Sequence, residues 1–285
     1  MKRAAPNHPL VRRLCDARAT RTPLIFGHRG CAAVRVENTL AAFEYARDLG
    51  VDGVELDVQT SADGVVVVAH DSDLLRLGDD ARSIAATTAG DLAAVPLRAR
   101  GASGTQLSAS GIPDLDSVLA CLGREMLVDI EIKSYPEVPP DIAVRVADII
   151  ARHNAHHRVL VSSFDPRRVV RFRRIAKRRG LAVPTAVIWS GDREVPIFLR
   201  SGIGRRMTGS ELDKPHWASS ARKRYTKGPP RLAWTVNDRE TALTIARRGI
   251  AALIGDDPGA MRLWVTGAAG SSGAPYGDPQ TETPL

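Results

Sequence analysis

Two histidines each come directly after a short apolar run of the chain. His28 precedes Arg29 and follows residues 24–26, and His70 follows residues 65–69. Asp63-Gly64, just before the second run, predicts a tight hairpin turn. Imidazole titrates near neutral pH, so a pair of histidines can remove a proton from one group and deliver a proton to another. A lone histidine after a strand is more often structural, but two of them beside charged residues predict acid–base chemistry.

Three carboxylates lie near the ends of two other apolar runs. Glu55 and Asp57 are two residues apart, and Glu131 is two residues before Lys133. In a strand this spacing places both side chains on one face, where two ionised carboxylates repel each other and lose hydration. Such a pair persists where a cation neutralises it, and carboxylate oxygens favour Ca²⁺ or Mg²⁺ over zinc. An ion pair with a nearby arginine is the alternative explanation.

These residues need a framework that brings the ends of several strands together. Short apolar runs alternate with helical patterns, which predicts an α/β fold with a parallel sheet covered by helices. The β runs are at 24–26, 53–58, 65–69, 126–132, 159–162, 183–188, 232–235 and 251–254. The helices are at 39–49, 140–153, 166–179, 238–248 and 257–264. No GxGxxG or GxxxxGK turn follows a run, so the sequence favours a closed (β/α)8 TIM barrel over an open sheet.

The chain divides into a polar N-terminal segment, one barrel and a tail. Residues 1–21 are polar and arginine-rich, residues 22–266 carry the barrel pattern, and residues 267–285 are rich in Gly, Ala, Ser and Pro. Such a tail buries too little apolar area to offset its ordering entropy, so we expect it to be disordered. Residues 77–111 interrupt the pattern and predict an insertion, after the second histidine, over one end of the barrel. Residues 202–230 are poorly periodic, so the sixth strand is the least clearly defined.

The charge of the chain limits its partners only in part. A net charge of +8 and a pI near 9.8 attract anions in general and do not choose among nucleic acid, lipid and small phosphorylated molecules. The most basic stretch, 167–179, is typical of an outer helix with one buried stripe, and no nucleic-acid-binding motif accompanies it. We therefore expect no nucleic-acid partner.

The cysteines and the apolar runs bear on the cellular compartment. Cys15, Cys31 and Cys121 are widely spaced and form no CxxC pair, as is typical of reduced thiols. Arginines and an aspartate interrupt every apolar run near the N-terminus, so no signal peptide is predicted. No apolar stretch approaches the roughly 18 to 20 residues that span a bilayer. These features predict a cytoplasmic protein without stable membrane association, and they leave the oligomeric state open.

Taken in order along the chain, the motifs resemble those of the glycerophosphodiester phosphodiesterases. The matching strings are His28-Arg29-Gly30, Glu37-Asn38-Thr39, Gly53-Val54-Glu55-Leu56-Asp57-Val58, Asp63-Gly64, His70-Asp71, Ile112-Pro113, Glu131-Ile132-Lys133, Ser162-Ser163-Phe164-Asp165, Trp234-Thr235-Val236-Asn237 and Asp256-Asp257-Pro258. Each string is weak alone, but so many in this order over residues 24–264 make chance a poor explanation.

The resemblance implies an enzyme that hydrolyses glycerophosphodiesters to glycerol 3-phosphate and an alcohol. It implies a (β/α)8 barrel in which His28 and His70 are the acid–base pair. It also implies a divalent metal, Ca²⁺ or Mg²⁺, held by Glu55, Asp57 and Glu131. Which histidine is the acid, and whether the attacking group is a glycerol hydroxyl or water, stay open at this point.

The resemblance further implies a set of substrate contacts. These are Arg29 and Lys133 on the phosphate, with Glu37, Asn38, Phe164 and Trp234 nearer the glycerol. The chain departs from the family pattern at Leu77-Gly78 and at Gly255. Both departures lie outside the histidine and carboxylate positions, so they bear on substrate fit rather than on catalysis.

Two other functions compete with this prediction. Phospholipase C-like and phospholipase D-like barrels share the two histidines and the acidic site but act on lipid, and an exposed apolar loop would favour them. Residues 77–111 offer no strong apolar stretch of that kind. A non-catalytic phosphate-binding barrel would be expected to have lost a histidine or a carboxylate, and none is missing here.

Overall fold

The protein folds around one barrel of parallel strands. The computed structural model describes residues 8–101, 104–108, 110–191, 200, 202–220 and 227–267. The strands are β1 (Leu24–Gly27), β2 (Gly53–Thr60), β3 (Val66–Val68), β4 (Asp73–Leu74), β5 (Asp80–Ser83), β6 (Leu97–Gly101), β7 (Gly104–Ser108), β8 (Leu127–Ile132), β9 (Val159–Ser163), β10 (Thr185–Trp189), β11 (Leu212–Pro215), β12 (Leu232–Ala233) and β13 (Ala252–Gly255). The α-helices are α1 (Pro9–Thr20), α2 (Leu40–Asp48), α3 (Leu75–Gly78), α4 (Ala89–Ala94), α5 (Leu115–Cys121), α6 (Ile142–Arg152), α7 (Pro166–Arg178), α8 (Ile203–Thr208), α9 (Trp217–Ser220), α10 (Arg239–Arg247) and α11 (Pro258–Thr266).

Eight of these strands form the barrel in the order β1, β2, β8, β9, β10, β11, β12, β13. All neighbouring pairs are parallel, and β13 returns to pair with β1. The gap between β11 and β12 is joined by single parallel bridges, from Asp213 to Arg231 and from His216 to Trp234. The predicted (β/α)8 barrel is therefore confirmed. Its mouth, the end where the strands finish, is where barrel enzymes place their active sites.

Two strand predictions differ from the structure. The run 65–69 forms β3, which is antiparallel to β2 across the hairpin turn predicted at Asp63-Gly64, but it is not one of the eight barrel strands. Gly64 makes the turn, with a φ of 81° that side chains rarely allow. The sixth barrel strand is β11, inside the poorly periodic stretch 202–230. It escaped detection because it has only four residues, two of them charged.

The helices begin where the sequence supplies a capping oxygen. Thr39 accepts a hydrogen bond from the backbone of Ala42 at the start of α2, within the predicted helix 39–49. Asp165 and Asp238 cap α7 and α10 in the same way. These caps satisfy backbone donors that have no partner inside the helix. The five helices predicted from periodicity are all present.

Alternation along the strands separates two environments. In β2, Val54, Leu56 and Val58 pack in the apolar layer between the barrel and its helices. Glu55 and Asp57 point the opposite way, into the barrel, because successive side chains of a strand alternate between faces. Both carboxylates are nonetheless buried. The polar residues of β2 at the mouth are thus a consequence of period-two patterning in a strand whose Val54, Leu56 and Val58 face the apolar layer.

The opposite end of the barrel is closed by α1. Leu10 and Leu14 are fully buried and pack with interior residues that include Phe26, Leu160 and Leu212. The segment 1–21, predicted to be polar, therefore contains a helix with one apolar face. Except for Gly267, the predicted tail lies outside the described residues.

The predicted insertion lies between β3 and α5. It contains α3, α4 and the two hairpins β4–β5 and β6–β7. Its small core includes Leu74, Ile84 and Leu92, and it also takes in Val36 from the loop after β1. Because that loop is at the mouth, the insertion covers one side of the mouth. No helix among the described residues is long and apolar enough to cross a membrane.

Candidate active site

His28 follows β1 and is held by a carboxylate from the neighbouring strand end. Its Nδ1 lies 2.6 Å from Oδ1 of Asp256, which follows β13. Asn237 donates a 2.6 Å hydrogen bond to the other oxygen of Asp256. Burial and Arg29 lower the pKa of His28, but Asp256 and Glu55 outweigh them and raise it above its ordinary value. An ionised carboxylate only accepts hydrogen bonds, so the proton of neutral His28 sits on Nδ1 and Nε2 is left for chemistry.

His70 follows β3 and has a carboxylate partner of its own. Its Nδ1 lies 2.7 Å from Oδ1 of Asp71, and Arg76 donates a 2.6 Å hydrogen bond to the second oxygen. Burial raises the pKa of Asp71, but His70 and Arg76 lower it well below its ordinary value. Tyr135 and Gln59 donate hydrogen bonds to the backbone oxygen of His70. Both histidines therefore have Nδ1 anchored, and both remain partly exposed at the mouth, with 16% and 30% of their side chains accessible.

The three predicted metal ligands meet in one place. Glu55 and Asp57 come from β2 and Glu131 from β8, and their carboxylate oxygens lie within 4.8 Å of one another. Residues 57 and 131 are paired in register, which aligns their side chains. Nε2 of His28 lies 3.9 Å from Oε2 of Glu55, so the first histidine faces this cluster.

Cationic and amide groups hold the cluster in place. Lys133 lies 3.3 Å from Asp57 and donates a 3.0 Å hydrogen bond to Glu131. Asn38 donates a 3.0 Å hydrogen bond to the remaining oxygen of Asp57. Burial raises the pKa of Asp57, but Lys133, His70 and Arg29 lower it well below its ordinary value. These cations therefore favour the ionised form of Asp57.

A second buried lysine lies deeper in the barrel. Lys214, from β11, is fully buried and lies 2.9 Å from Asp129 and 3.3 Å from Glu55. Ser162 donates a 2.7 Å hydrogen bond to the other oxygen of Asp129. Burial lowers the pKa of Lys214, but Asp129, Glu55 and Glu131 outweigh it and raise the pKa above its ordinary value. The lysine is therefore charged, and it holds one oxygen of Glu55 from the side facing the barrel interior.

An arginine pair joins the insertion to the barrel through one carboxylate. Glu37 accepts hydrogen bonds from Arg29 at 2.8 Å and from Arg76 at 2.7 and 2.8 Å. Burial raises the pKa of Glu37, but the two arginines outweigh it and lower the pKa to about 2. Because Arg76 also binds Asp71, the loop after β1 and the insertion are tied together beside both histidines.

Aromatic rings line another side of the mouth. Phe164 follows β9 and Trp234 follows β12, and their rings make an edge contact with centroids 5.4 Å apart. His216 packs on Trp234 at 5.3 Å, and Trp217 packs on His216. The indole nitrogen of Trp234 donates a 3.2 Å hydrogen bond to the backbone oxygen of Lys214. The two aromatic residues predicted as substrate contacts therefore lie together, with His216 as an addition.

The structure thus brings every predicted site residue to the mouth and adds several that carried no predicted role. Asp71, Asn237 and Asp256 stood inside the recognised strings, and their position after strands was the available signal. Asp129 alternates with Glu131 in the same strand and could have been placed on the inner face from that spacing. Lys214 could not, because its strand was not predicted. The added residues are Asp71, Arg76, Asp129, Tyr135, Ser162, Lys214, His216, Asn237 and Asp256.

Comparison with known proteins agrees with the geometry. Residues 28–260 match the model of the glycerophosphoryl diester phosphodiesterase family. A glycerophosphodiester phosphodiesterase from Caldanaerobacter subterraneus subsp. tengcongensis is 29% identical over 82% of this chain and 94% of its own length.

Two solved structures share the fold. One, a glycerophosphodiester phosphodiesterase from Thermotoga maritima, has a TM-score of 0.64 and 26% identity, over 86% of this chain and 98% of its own. The other, an Oleispira antarctica phosphodiesterase in complex with the product sn-glycerol-3-phosphate, has a TM-score of 0.67 and 22% identity, over 87% of this chain and 99% of its own. The family model covers most of the chain. The chain therefore belongs to the glycerophosphoryl diester phosphodiesterase family of enzymes.

Proposed function

We propose that this enzyme hydrolyses water-soluble glycerophosphodiesters to glycerol 3-phosphate and an alcohol, with a divalent cation and two histidines. The observation that carries the proposal is the meeting of two carboxylate-anchored imidazoles with a buried cluster of three carboxylates at one end of a barrel. Family membership supplies the reaction class.

The carboxylate cluster fits a hard divalent cation. Two ligands on opposite sides of one Ca²⁺ are about 4.8 Å apart, and the oxygens of Glu55, Asp57 and Glu131 lie within that span. Around the mouth, carboxylates outnumber lysine and arginine side chains. The carboxylates are Glu37, Glu55, Asp57, Asp71, Asp129, Glu131 and Asp256, and the cations are Arg29, Arg76, Lys133 and Lys214. The excess of negative charge favours Ca²⁺ or Mg²⁺, which when bound would stabilise charge on a phosphoryl oxygen.

The chain's own cations serve the phosphate. A phosphodiester is anionic and resists nucleophiles, and its transition state carries more charge on the oxygens that do not react. Arg29 is fixed by Glu37 and Asp57, and Lys133 by Asp57 and Glu131. Cations held in place before the reaction stabilise this charge without reorganising.

The histidines divide the proton transfers. One imidazole removes a proton from the attacking hydroxyl, which is the neighbouring hydroxyl of glycerol or a water, as its oxygen bonds to phosphorus. The other imidazole protonates the alcohol oxygen as its bond to phosphorus breaks. Attack by water gives glycerol 3-phosphate directly, whereas attack by the glycerol hydroxyl gives a cyclic phosphate, which a water then opens to glycerol 3-phosphate with the two histidines exchanging roles. In both residues Nε2 is the reacting atom, because Asp256 and Asp71 hold the Nδ1 protons of His28 and His70. Because a carboxylate orients each imidazole in the same way, either histidine can act as the acid or as the base.

The shape of the mouth favours a soluble substrate over a lipid. Within the described part of the hairpins and helices above the mouth, the exposed large apolar side chains are Leu75 and Val65. Two isolated residues of this kind are ordinary on a protein surface and do not make a bilayer-inserting loop. We therefore propose that the glycerol and phosphate are bound inside the mouth while the alcohol can remain in water.

Product analysis tests this proposal. Glycerophosphocholine, its 2-deoxy analogue and phosphatidylcholine vesicles are each incubated with the enzyme, and released choline, phosphocholine and glycerol 3-phosphate are measured. We expect glycerol 3-phosphate and choline from glycerophosphocholine, and much slower cleavage of the deoxy analogue, because a site that hydrogen-bonds a hydroxyl discriminates against its loss. Faster release of choline or phosphocholine from vesicles would instead identify a lipid-active enzyme. No cleavage of any of them would favour a non-catalytic barrel.

A further inference from the structure

A strip of arginines runs along the outer face of α7, on the side opposite the barrel. Arg167, Arg171, Arg174 and Arg178 are spaced by four, three and four residues, which places them on one side of the helix. All four are exposed, whereas Phe172 on the other side is fully buried. At 1.5 Å per residue the strip is about 16 Å long. We call this surface the arginine strip.

Within the described part of the chain, most of the arginine strip has no acidic partner. Arg167 lies 3.0 Å from Asp165, which caps the same helix. Arg171, Arg174 and Arg178 make no ion pair with an acidic side chain among the described residues. An exposed strip of unpaired guanidinium groups favours an anionic partner.

Apolar surface lies directly beside the arginine strip. A cleft of about 630 Å³ between α6, α7 and α8 is lined by three arginines of the strip, by Asp165, which Arg167 neutralises, by Thr208 and by apolar side chains. These apolar lining residues are Pro140, Ala143, Pro166, Val170 and Met207. On α8, Met207 is 65% exposed and Ile203, one turn earlier, is 45% exposed. Arg168 also borders the cleft but is committed to the backbone oxygens of the loop before α6.

This combination distinguishes between anionic partners. A nucleic-acid backbone would bind the arginines, but it offers no apolar surface for the exposed methionine and isoleucine side chains beside them. The surface of an anionic bilayer offers both negative headgroups and an apolar layer just below them. We infer that the arginine strip, with Met207, Ile203 and the cleft, attaches the enzyme reversibly to an anionic phospholipid surface. In this attachment the arginines bind the headgroups and the two apolar side chains enter the layer below, and it does not depend on what the mouth hydrolyses.

Vesicle sedimentation tests the inference with the full-length protein. The probes are phosphatidylcholine vesicles and vesicles of phosphatidylcholine mixed with phosphatidylglycerol. We expect binding only to the mixed vesicles, and weaker binding at higher salt because screening shortens the range of the attraction. The double substitution Arg171→Ala/Arg174→Ala should weaken binding about thirtyfold, since each basic residue near such a surface contributes about fivefold.

A matched control removes the same charge elsewhere. Arg239 and Arg247 are exposed on α10, three barrel positions away from α7. Arg239→Ala/Arg247→Ala should bind the mixed vesicles nearly as the unmodified protein does. Neither double variant alters residues at the mouth, so thermal unfolding and turnover of a soluble phosphodiester check that both are folded.

Met207→Ser separates a bilayer from a general polyanion. It should weaken vesicle binding without changing the salt dependence, and it should leave any binding to duplex DNA unaltered. The inference is overturned if the protein ignores mixed vesicles at low salt, or if the two double variants lose binding equally. It is also overturned if the Met207→Ser variant binds vesicles as tightly as the unmodified protein does, and the unmodified protein binds duplex DNA as tightly as it binds vesicles.

Discussion

The two ends of the barrel interior are built by the same strands and hold opposite kinds of side chain. At the closed end, the apolar side chains of Phe26, Leu160 and Leu212 pack under α1. At the mouth, two residues further along the same inner faces, stand His28, Ser162 and Lys214. The closed end gains stability from apolar burial, whereas the mouth keeps charged groups that are costly to bury.

The closed end therefore contributes mainly to the stability of the fold, and the mouth contributes mainly to function. The closed end could exchange one apolar residue for another of similar size with little harm. The mouth cannot, because each carboxylate there is matched to a particular cation or imidazole. Variants of the histidines should therefore fail through turnover, whereas variants at the closed end, and of the buried Lys214 below the histidines, should fail through stability.

The largest effect is expected from the histidines. His28→Ala and His70→Ala should each lower kcat by roughly 10² to 10⁴, the usual share of general acid–base catalysis. Thermal stability should change little, because both side chains are partly exposed. Turnover of glycerophosphocholine is the measurement, and His153→Ala on the outer surface, where His153 meets Asp116, is the control.

A substrate with a nitrophenyl leaving group sharpens this prediction. Such a leaving group needs no proton, so only the variant that lacks the acid should be rescued. Wild-type turnover in either histidine variant would reassign that histidine to a structural role.

The next effect is on stability, from the lysine below the mouth. Lys214→Met leaves Asp129 and Glu55 buried without their cation, and it should lower the free energy of unfolding by about 3 to 5 kcal/mol. Adding Asp129→Asn should recover part of this loss, because only Glu55 then lacks a partner. Denaturant unfolding measures both variants. Equal stability of Lys214→Met and the unmodified protein would mean that these carboxylates do not need the lysine.

An apolar truncation at the closed end gives the contrasting case. Leu14→Ala should lower the free energy of unfolding by about 2 to 5 kcal/mol, through lost burial and a cavity. Under conditions in which the variant is folded, kcat should be unchanged, because α1 lies at the far end from the histidines. A fall in kcat comparable to that of a histidine variant would show that the two ends are coupled.

The smallest of these effects concerns the group that orients His28. Asp256→Asn keeps the shape of the side chain but no longer guarantees that the proton of His28 sits on Nδ1. We expect kcat to fall by about 10-fold to 100-fold, a typical cost for losing a group that orients a functional histidine. The fall should be smaller than that of His28→Ala, and a larger one would mean that Asp256 does more than orient the ring.

Much of the mouth could be predicted because its residues follow strands with apolar outer faces. Period-two spacing predicted that the two side chains of each pair lie on one face of a strand, for Glu55 with Asp57 and for Glu131 with Lys133. Lys214 was missed since β11 is too short, and too charged, to give a periodic signal. Asp71, which anchors His70, is the next residue along the chain, but the carboxylate that anchors His28 comes from a distant part of the chain. Asp256 is 228 residues from His28 along the chain, and only the closed barrel brings them together.

Two other segments, α1 and the run 65–69, show a second limit of sequence patterns. Arginines hide the apolar face of α1, so Leu10 and Leu14 were averaged into a polar segment. The run 65–69 has the composition of a barrel strand, but its distance from β2 is only a tight turn. A parallel connection requires a dozen or more residues, which identifies the run as one arm of a hairpin.

The central claim is that the charged end of the barrel is a metal-dependent phosphodiester site. The most direct measurement is the turnover of glycerophosphocholine before chelation, after thorough chelation, and after return of Ca²⁺ or Mg²⁺, with calorimetry of metal binding alongside. We predict that chelation removes turnover, that one of the two ions restores it, and that Glu131→Gln binds that ion more weakly while remaining folded. Full turnover in the thoroughly chelated protein would contradict the account.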